Sequence, residues 1–351
     1  MIPVDESAGG PVGSPRFVML IAPSANRVYA DASVRLSRAE LTAFGSVLSG
    51  PLDGIGEVRL GGLRYVGFTA PAGLTGRDLA HLANLSSAYA LFEVVGDLLR
   101  PVPLAPLARF DDDLITIPKY AGKTNEQFTK LLLNLTLLAS SRAPRMLDGP
   151  VTVLDPLCGR GTTLNQALMY GYDAIGIERD GKDVDAYAAF LRTWLRRKRI
   201  KHQTDLHPVR RDRRLLARCF EATIGGRTDE SQRIAVYHGD TVEAREYLRA
   251  GCADVIVADA PYGVAHGSHT GAGGLSRDPL ALLRAAVPVW VALLRPGGAL
   301  GLSWNTHVAK RADAAQVLAE HGLSIVDDPG YGDLEHRVDQ AINRDVLVAR
   351  R

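Results

Sequence analysis

The sequence predicts an α/β protein, a mostly parallel sheet with helices between its strands, preceded by a small α+β domain. Three observations carry this expectation. From Val151 onward, short β-branched runs alternate with amphipathic helical stretches, the pattern of parallel strands joined by right-handed crossovers. The glycine-bearing segment DPLCGRGTTL, Asp155–Leu164, stands directly between the first of these strands and the next helix, where ligand-binding strand–loop–helix units keep their close-approach glycines. The chain ends on two apolar runs, Leu323–Val326 and Val346–Ala349, which read as a closing pair of strands.

Taken in order, residues 1–15 are rich in Pro, Gly and Ser and read as a disordered lead-in. Residues 16–110 mix the apolar runs Phe17–Ala22 and Tyr65–Thr69 with helix-like Ser37–Leu48 and Arg77–Leu91, around turn chemistry at Gly50–Gly62. Pro101–Asp113 reads as a linker, and the main domain spans 111–351. A helix is expected from Thr124, where Thr124-x-x-Gln127 forms a capping box and Phe128, Leu131, Leu132 and Leu135 recur at helical spacing. Strands follow at Val151–Leu154, Ala174–Ile177, Ile234–Tyr237, Asp254–Ala258 and Ala299–Ser303. Helices are expected at Thr163–Tyr170, stopped by Gly171, and at Asp183–Arg199, whose apolar face is Tyr187, Phe190, Leu191, Trp194 and Leu195. The segment RTWLRRKRIKH continues that helix, and RRDRRLLAR extends it into a basic insertion, residues 196–230.

Composition sets the class. Of 351 residues, 46% are hydrophobic and 23% charged, enough to bury a sizeable core and to exclude disorder as the dominant state. Cys158, Cys219 and Cys252 form no CxxC pair, so neither a disulfide scaffold nor a structural zinc site is expected, and no metal is assigned. A reducing, cytoplasmic setting fits. The N-terminal residues do not read as a signal peptide, and no apolar run is long enough for a membrane helix. The net charge of +2 hides an asymmetry: Phe190–Arg218 carries eleven Lys or Arg against two Asp. Charge segregated in this way faces a polyanion or forms a solvated surface.

Two motifs carry chemistry. In the first, Gly159 and Gly161 remove Cβ atoms where backbone passes close to a ligand, and Asp155 would repel a phosphate but attract an ammonium group. Glu178, seventeen residues past Gly161 at the end of the second strand, suits the two hydroxyls of a ribose. Asp240, in HGDT after the third strand, can take the exocyclic amine of an adenine. Three acids and a glycine loop describe S-adenosylmethionine better than NAD or ATP. The second motif, VIVADAPYGV (Val255–Val264), sets a carboxylate, a proline turn and an aromatic ring side by side. Asp259 and the Ala260 carbonyl can hold the hydrogens of a planar amine while Tyr262 stacks on its ring, a clamp suited to a base pulled from its stack.

DPLCGRGT followed by DAPYG resembles the class I amino-methyltransferases of nucleic acids, with signatures D-P-x-x-G-x-G and [DNS]-P-P-[YFW]. Within that group the chain is most similar to the tRNA guanine-N2-methyltransferases with a THUMP-containing N-terminal half. Those read D-P-P-Y-G after strand four and place a Thr-x-x-x-(F/L) helix ahead of the first motif, as in KTNEQF here. The resemblance covers Ile117 to Ala349. It implies a Rossmann-like sheet of seven strands with an antiparallel strand in the last pair, S-adenosylmethionine as cofactor, and a tRNA or other nucleic acid as partner. It also implies that Asp155, Gly159 and Gly161 meet the methionine part, Glu178 the ribose and Asp240 the adenine. Thr124 or Asn125 would line the methionine pocket, and Pro156, Thr162, Arg179, Thr241 and Asp259 complete the cofactor-binding set. Asp259, Ala260, Pro261 and Tyr262 would hold the base. Arg196, Arg197, Lys198, Arg199, Lys201, Arg210 and Arg211 are the candidate phosphate contacts. The chain departs from the family at Ala260, where a proline is usual, and residues 16–110 are short for a complete THUMP domain with its companion.

Other readings share these motifs: a DNA adenine-N6 or cytosine-N4 methyltransferase, a small-molecule or peptide N-methyltransferase, or a non-catalytic RNA-binding protein. Elsewhere the residues suggest less. His266-x-x-His269 lacks a third ligand and lies in a Gly/Ser-rich stretch read as a lid. WNTH, Trp304–His307, reads as a core tryptophan or an edge of the substrate pocket, and Cys158 as a small packing residue.

Overall fold

The computed structural model describes residues 15–24, 27–120, 122–225, 231–260 and 279–351. The lead-in therefore lies outside the described residues, as do Pro261, Tyr262 and the stretch containing His266 and His269. Two compact units divide the chain, Met1–Leu107 with Asp327–Asn343, and Ala108–Val326 with Arg344–Arg351.

The first unit contains β1 (Arg16–Ile21), α1 (Arg27–Phe44), β2 (Asp53–Leu60), β3 (Leu63–Thr69), α2 (Gly76–Leu82), β4 (Ala88–Val95) and β5 (Leu98–Val102). Its strands pair antiparallel in the order β2-β3-β1-β4-β5. Gly61 and Gly62, both left-handed at φ 56° and 81°, turn β2 into β3, as a two-residue hairpin requires. The sequence predicts helix through Leu91, but α2 stops at Leu82 and the chain has entered β4 by Ala88. Pairing with β1 overrides the local helical spacing there.

The second unit opens with α3 (Asp113–Thr116) and α4 (Glu126–Ala139) and continues β6 (Thr152–Asp155), α5 (Thr162–Met169), β7 (Asp173–Glu178), α6 (Gly181–Arg197), β8 (His202–Arg211), β9 (Arg214–Ile224), β10 (Gln232–His238), α7 (Ala244–Tyr247), β11 (Ala253–Asp259), α8 (Pro279–Leu293), β12 (Leu294–Asn305), α9 (Arg311–Glu320) and β13 (Ser324–Ile325). The two-residue β14 (His336–Arg337) falls in the stretch that belongs to the first unit, and β15 (Asn343–Arg350) closes the second. The main path runs β13-β15-β12-β11-β6-β7-β10-β9-β8. β6, β7, β10, β11 and β12 are mutually parallel, and β15 inserts antiparallel between β12 and β13. This is the expected Rossmann-like α/β sheet with an antiparallel strand in its last pair. Its centre is apolar on both faces: Val153, Leu154, Val255, Ile256, Val257, Leu300 and Leu302 are all buried, as strands covered on two sides require.

Two local expectations are corrected. The cap of α4 is Asn125, not Thr124: the Asn125 side chain accepts the Phe128 N–H at 3.0 Å. The basic segment continues α6 only through Arg197. That helix ends in a paired turn in which Ile200 N–H reaches the Leu195 carbonyl at 3.0 Å and Arg199 N–H the Arg196 carbonyl at 3.1 Å. Arg199 sits left-handed at φ 55°, the role glycine usually fills in this stop signal. The chain then forms the hairpin β8–β9, which reverses at Asp212 and Arg213, φ 49° and 66°. Two consecutive left-handed residues make the turn whose twist matches antiparallel strands. The hairpin pairs through β9 with β10 and widens the sheet by two strands.

Candidate active site

In a parallel sheet every strand reaches its carboxyl end on the same side, so residues that finish neighbouring strands gather there. The register places them together. Asp155, the last residue of β6, pairs with Gly176 of β7. Glu178 ends β7 opposite His238 of β10, two residues before Asp240. Asp259 ends β11 opposite Ser303 of β12.

Asp155 is 3% exposed. Its Oδ1 accepts the Leu157 N–H at 3.0 Å, and the Thr163 hydroxyl also hydrogen-bonds it. Burial nevertheless pushes its carboxyl up to about 7, and the charges of Asp259 and Glu178 push the same way. The Glu178 carboxyl is raised as well, chiefly by burial. Its Oε2 accepts the Gly159 N–H at 2.9 Å and its Oε1 the Asp180 N–H at 2.7 Å, which ties the glycine loop to the end of β7. A buried carboxyl raised by burial and by neighbouring acids is an environment for a cationic ligand.

The loop itself is built on two left-handed glycines, Gly159 at φ 49° and Gly161 at φ 79°. A Cβ on Gly159 would meet nothing within 4 Å, whereas one on Gly161 would lie 2.4 Å from the Tyr187 ring. Gly159 thus presents bare backbone to open space, and Gly161 allows the loop to pack on α6. Pro156 is buried between them and the strand. Gly161→Ala combines left-handed strain with a clash against a buried ring, so it should cost about 2–4 kcal/mol. A lowered urea midpoint at unchanged m-value checks this; an unshifted midpoint contradicts the packing.

Asp259 is held from two sides. Thr124 Oγ1 donates to its Oδ2 at 2.6 Å, and the Ser303 hydroxyl donates to its Oδ1. Thr124, freed from capping α4, therefore orients the carboxylate of the second motif. Ala260 is buried, and its N–H donates to the Ser303 carbonyl at 2.9 Å, extending the β11–β12 ladder by one residue. Asp240 caps the turn after β10, its Oδ1 accepting the Val242 N–H at 3.1 Å. Thr241 is buried and accepts the Trp290 indole N–H at 2.8 Å, so its hydroxyl anchors α8. Arg179 is exposed beside Glu178.

Several neighbours were not legible beforehand. Tyr120 OH and Thr162 Oγ1 lie 2.8 Å apart, and the Arg160 guanidinium sits 5.2 Å from the Tyr120 ring centre while pairing with Asp183 at 2.7 Å. Ser303 adjoins WNTH, a segment the sequence does single out. Trp304 itself is core, fully buried with its indole N–H on the Ala309 carbonyl at 2.8 Å. Cys158 is buried, and its sulfur lies 2.8 Å from where a Gly176 Cβ would stand, which fits its reading as a packing residue.

Among the basic residues, Arg196, Arg197, Arg199, Lys201, Arg210 and Arg211 are exposed. Lys198 differs: its ammonium lies 2.7 Å from both Asp111 and Asp113, committed within the unit. Arg213 and Arg214, at the hairpin tip, are also exposed.

No protein-family model matches the chain, and no curated protein matches it. Solved structures do. TrmN from Thermus thermophilus shares 14% identity over 96% of this chain and 99% of its own, with a TM-score of 0.44. The magnesium protoporphyrin IX methyltransferase of Synechocystis, solved with bound SAM, shares 14% identity over 68% of this chain and 88% of its own, at a TM-score of 0.40. A TehB-like SAM-dependent methyltransferase from Corynebacterium glutamicum shares 14% over 57% and 79%, at 0.31.

Proposed function

We propose that the chain is an S-adenosylmethionine-dependent methyltransferase that modifies an exocyclic amine of a nucleobase, with guanine N2 in tRNA as the leading substrate. One observation carries the reading: Asp155, Glu178 and Asp259 end adjacent parallel strands around a glycine loop, and the buried Asp155 carboxyl, pushed up chiefly by burial and further by the charges of Asp259 and Glu178, is a group that a positively charged ligand would stabilise in its ionised form. The residues fit this ligand. Asp155 would attract its ammonium, the open backbone at Gly159 would admit its amino-acid part, Glu178 would accept from its ribose and Asp240 from its adenine amine. When bound, it supplies a methyl carbon on a sulfonium, open to in-line displacement by nitrogen.

The protein's share is orientation. Asp259, fixed by Thr124 and Ser303, accepts the N–H groups of the incoming amine and thereby aims the nitrogen lone pair. The Ala260 carbonyl provides a second acceptor, and Tyr262 a stacking surface. No proton has to leave before transfer; the methylated nitrogen loses one to solvent afterwards. The exposed arginines of α6 and the hairpin supply the phosphate contacts.

The test compares methyl transfer from labelled cofactor into total tRNA, into DNA, and with no nucleic acid present. Transfer confined to tRNA is expected, with binding that weakens as salt rises at a log–log slope of about −0.7 per phosphate contact. Replacing Arg196, Arg197 and Arg199 by glutamine should flatten that slope. Transfer into DNA alone, or salt-insensitive turnover without nucleic acid, overturns the substrate assignment.

A further inference from the structure

The β8–β9 hairpin brings together side chains that are far apart along the chain. Its register pairs Asp205 with Glu221 and His207 with Cys219. Because side chains two residues apart share one face of a strand, all four project from the same face of the ribbon. Ligand atoms of His207, Cys219 and Glu221 all lie within 4.8 Å of one another. Imidazole, thiol and carboxylate are the donor set of a zinc-class cation, whose tetrahedral ligands at 2.0–2.3 Å stand roughly 3.3–3.8 Å apart. The hairpin needs to close by only about an ångström to reach that spacing.

Two further features point to a ligand. The His207 ring is already oriented by a carboxylate, with Nδ1 3.2 Å from Asp205 Oδ2. An outer carboxylate that holds one ring nitrogen protonated leaves the other to bind metal, the usual support of a metal-bound histidine. On the far side, Tyr237 of β10 stands opposite Cys219 in the ladder, and the Cys219 thiol points at Glu221, with Sγ 4.0 Å from Oε1. Cys219 is buried, His207 half-buried and Glu221 exposed, which gives the cation one anchored ligand and an open approach. Asp205 and Glu221 also face each other across the strands, a like-charge pairing that costs stability unless a cation compensates it.

We propose that His207, Cys219 and Glu221 form a binding site for a divalent zinc-class cation, with Asp205 as the positioning residue behind the imidazole. The site is separate from the strand ends that carry the acids of the candidate active site. The cation would staple β8 to β9 and stiffen the arm that bears Arg210, Arg211, Arg213 and Arg214. Sequence spacing suggests no such site, because the ligands are brought together by strand pairing and not by a CxxC-type interval.

The test uses the full chain without a histidine tag, stripped by chelator and titrated with Co²⁺ alone. The expected result is saturation at one equivalent, with a sulfur-to-cobalt charge-transfer absorption that added Zn²⁺ abolishes. Cys219→Ser should remove that absorption, while Cys158→Ser and Cys252→Ser retain it. His207→Asn and Glu221→Gln, at accessible positions that should leave the fold intact, should weaken binding at least 10-fold. Absence of saturable binding overturns the site, as does absorption that survives Cys219→Ser. If Cys219→Ser fails to fold, unchanged affinity in both other variants does the same. Binding lost in a His266→Ala, His269→Ala double variant would move the ligands to that segment and equally refute the proposal.

Discussion

Replacing Asp259 by alanine should lower methyl transfer by about 10³-fold while cofactor affinity, followed by calorimetry, changes only a few-fold. Both oxygens of this carboxylate are held, by Thr124 on one side and Ser303 on the other, so the group is rigid before any substrate arrives. Truncation removes the acceptor for the amine hydrogens and leaves two hydroxyls without their partner, at about 1–2 kcal/mol of stability each. Asp259→Asn keeps one acceptor oxygen and should fall between alanine and the parent. The split between rate and binding is the critical readout. Affinity lost in parallel with rate would place Asp259 on the donor side of the site, and the assignment of the second motif would be wrong.

The second large effect concerns Asp155 and pH. Its carboxyl sits at about 7 in the folded chain against an ordinary 3.8, so between those values the native state holds a proton that the unfolded state has released. Stability from this group is therefore complete at acid pH and declines as pH climbs through 7. A shift of this size corresponds to at most about 4 kcal/mol. Asp155→Asn should remove that decline and stabilise the free protein at pH 8. Ligand binding should move the opposite way. A cation prefers the ionised carboxylate, so affinity for S-adenosylmethionine should rise between pH 6 and 8, with a proton released on binding. Calorimetry in buffers of different ionisation enthalpy measures that proton. In Asp155→Asn the release should vanish and affinity should drop roughly 10–100-fold. A parent protein with pH-independent affinity and no released proton would remove the main support for a cationic ligand.

The strand–helix alternation was legible because β-branched runs and helical spacing agree with the tertiary fold at nearly every element of the sheet. The acids at the strand ends were legible for the same reason: once a strand's end is known, its last residue is placed. What escaped was whatever depends on the third dimension. Thr124 looks like a helix cap, yet Asn125 caps the helix and Thr124 is left to hold Asp259. Tyr120 and Arg160 carry no spacing signal that joins them. The basic segment reads as helix because Arg and Lys have good helix propensity; a left-handed Arg199 and an Asp212–Arg213 turn are choices that only the partner strand β9 and its pairing with β10 make favourable.

The width of the sheet has a consequence for how copies of the chain behave toward one another. Any open sheet offers two borders of unpaired backbone on which a second chain could build. One border here is β13, only two residues long. The other is β8, which carries Pro208 in mid-strand, an irregular step between Val209 and Arg210, and the exposed charges of Asp205, Arg210 and Arg211. A ring nitrogen with no hydrogen to give, a kink and a row of charges all work against strand-by-strand accretion. The hairpin therefore closes off the flank of β10 and ends the sheet in a border that resists fibre growth.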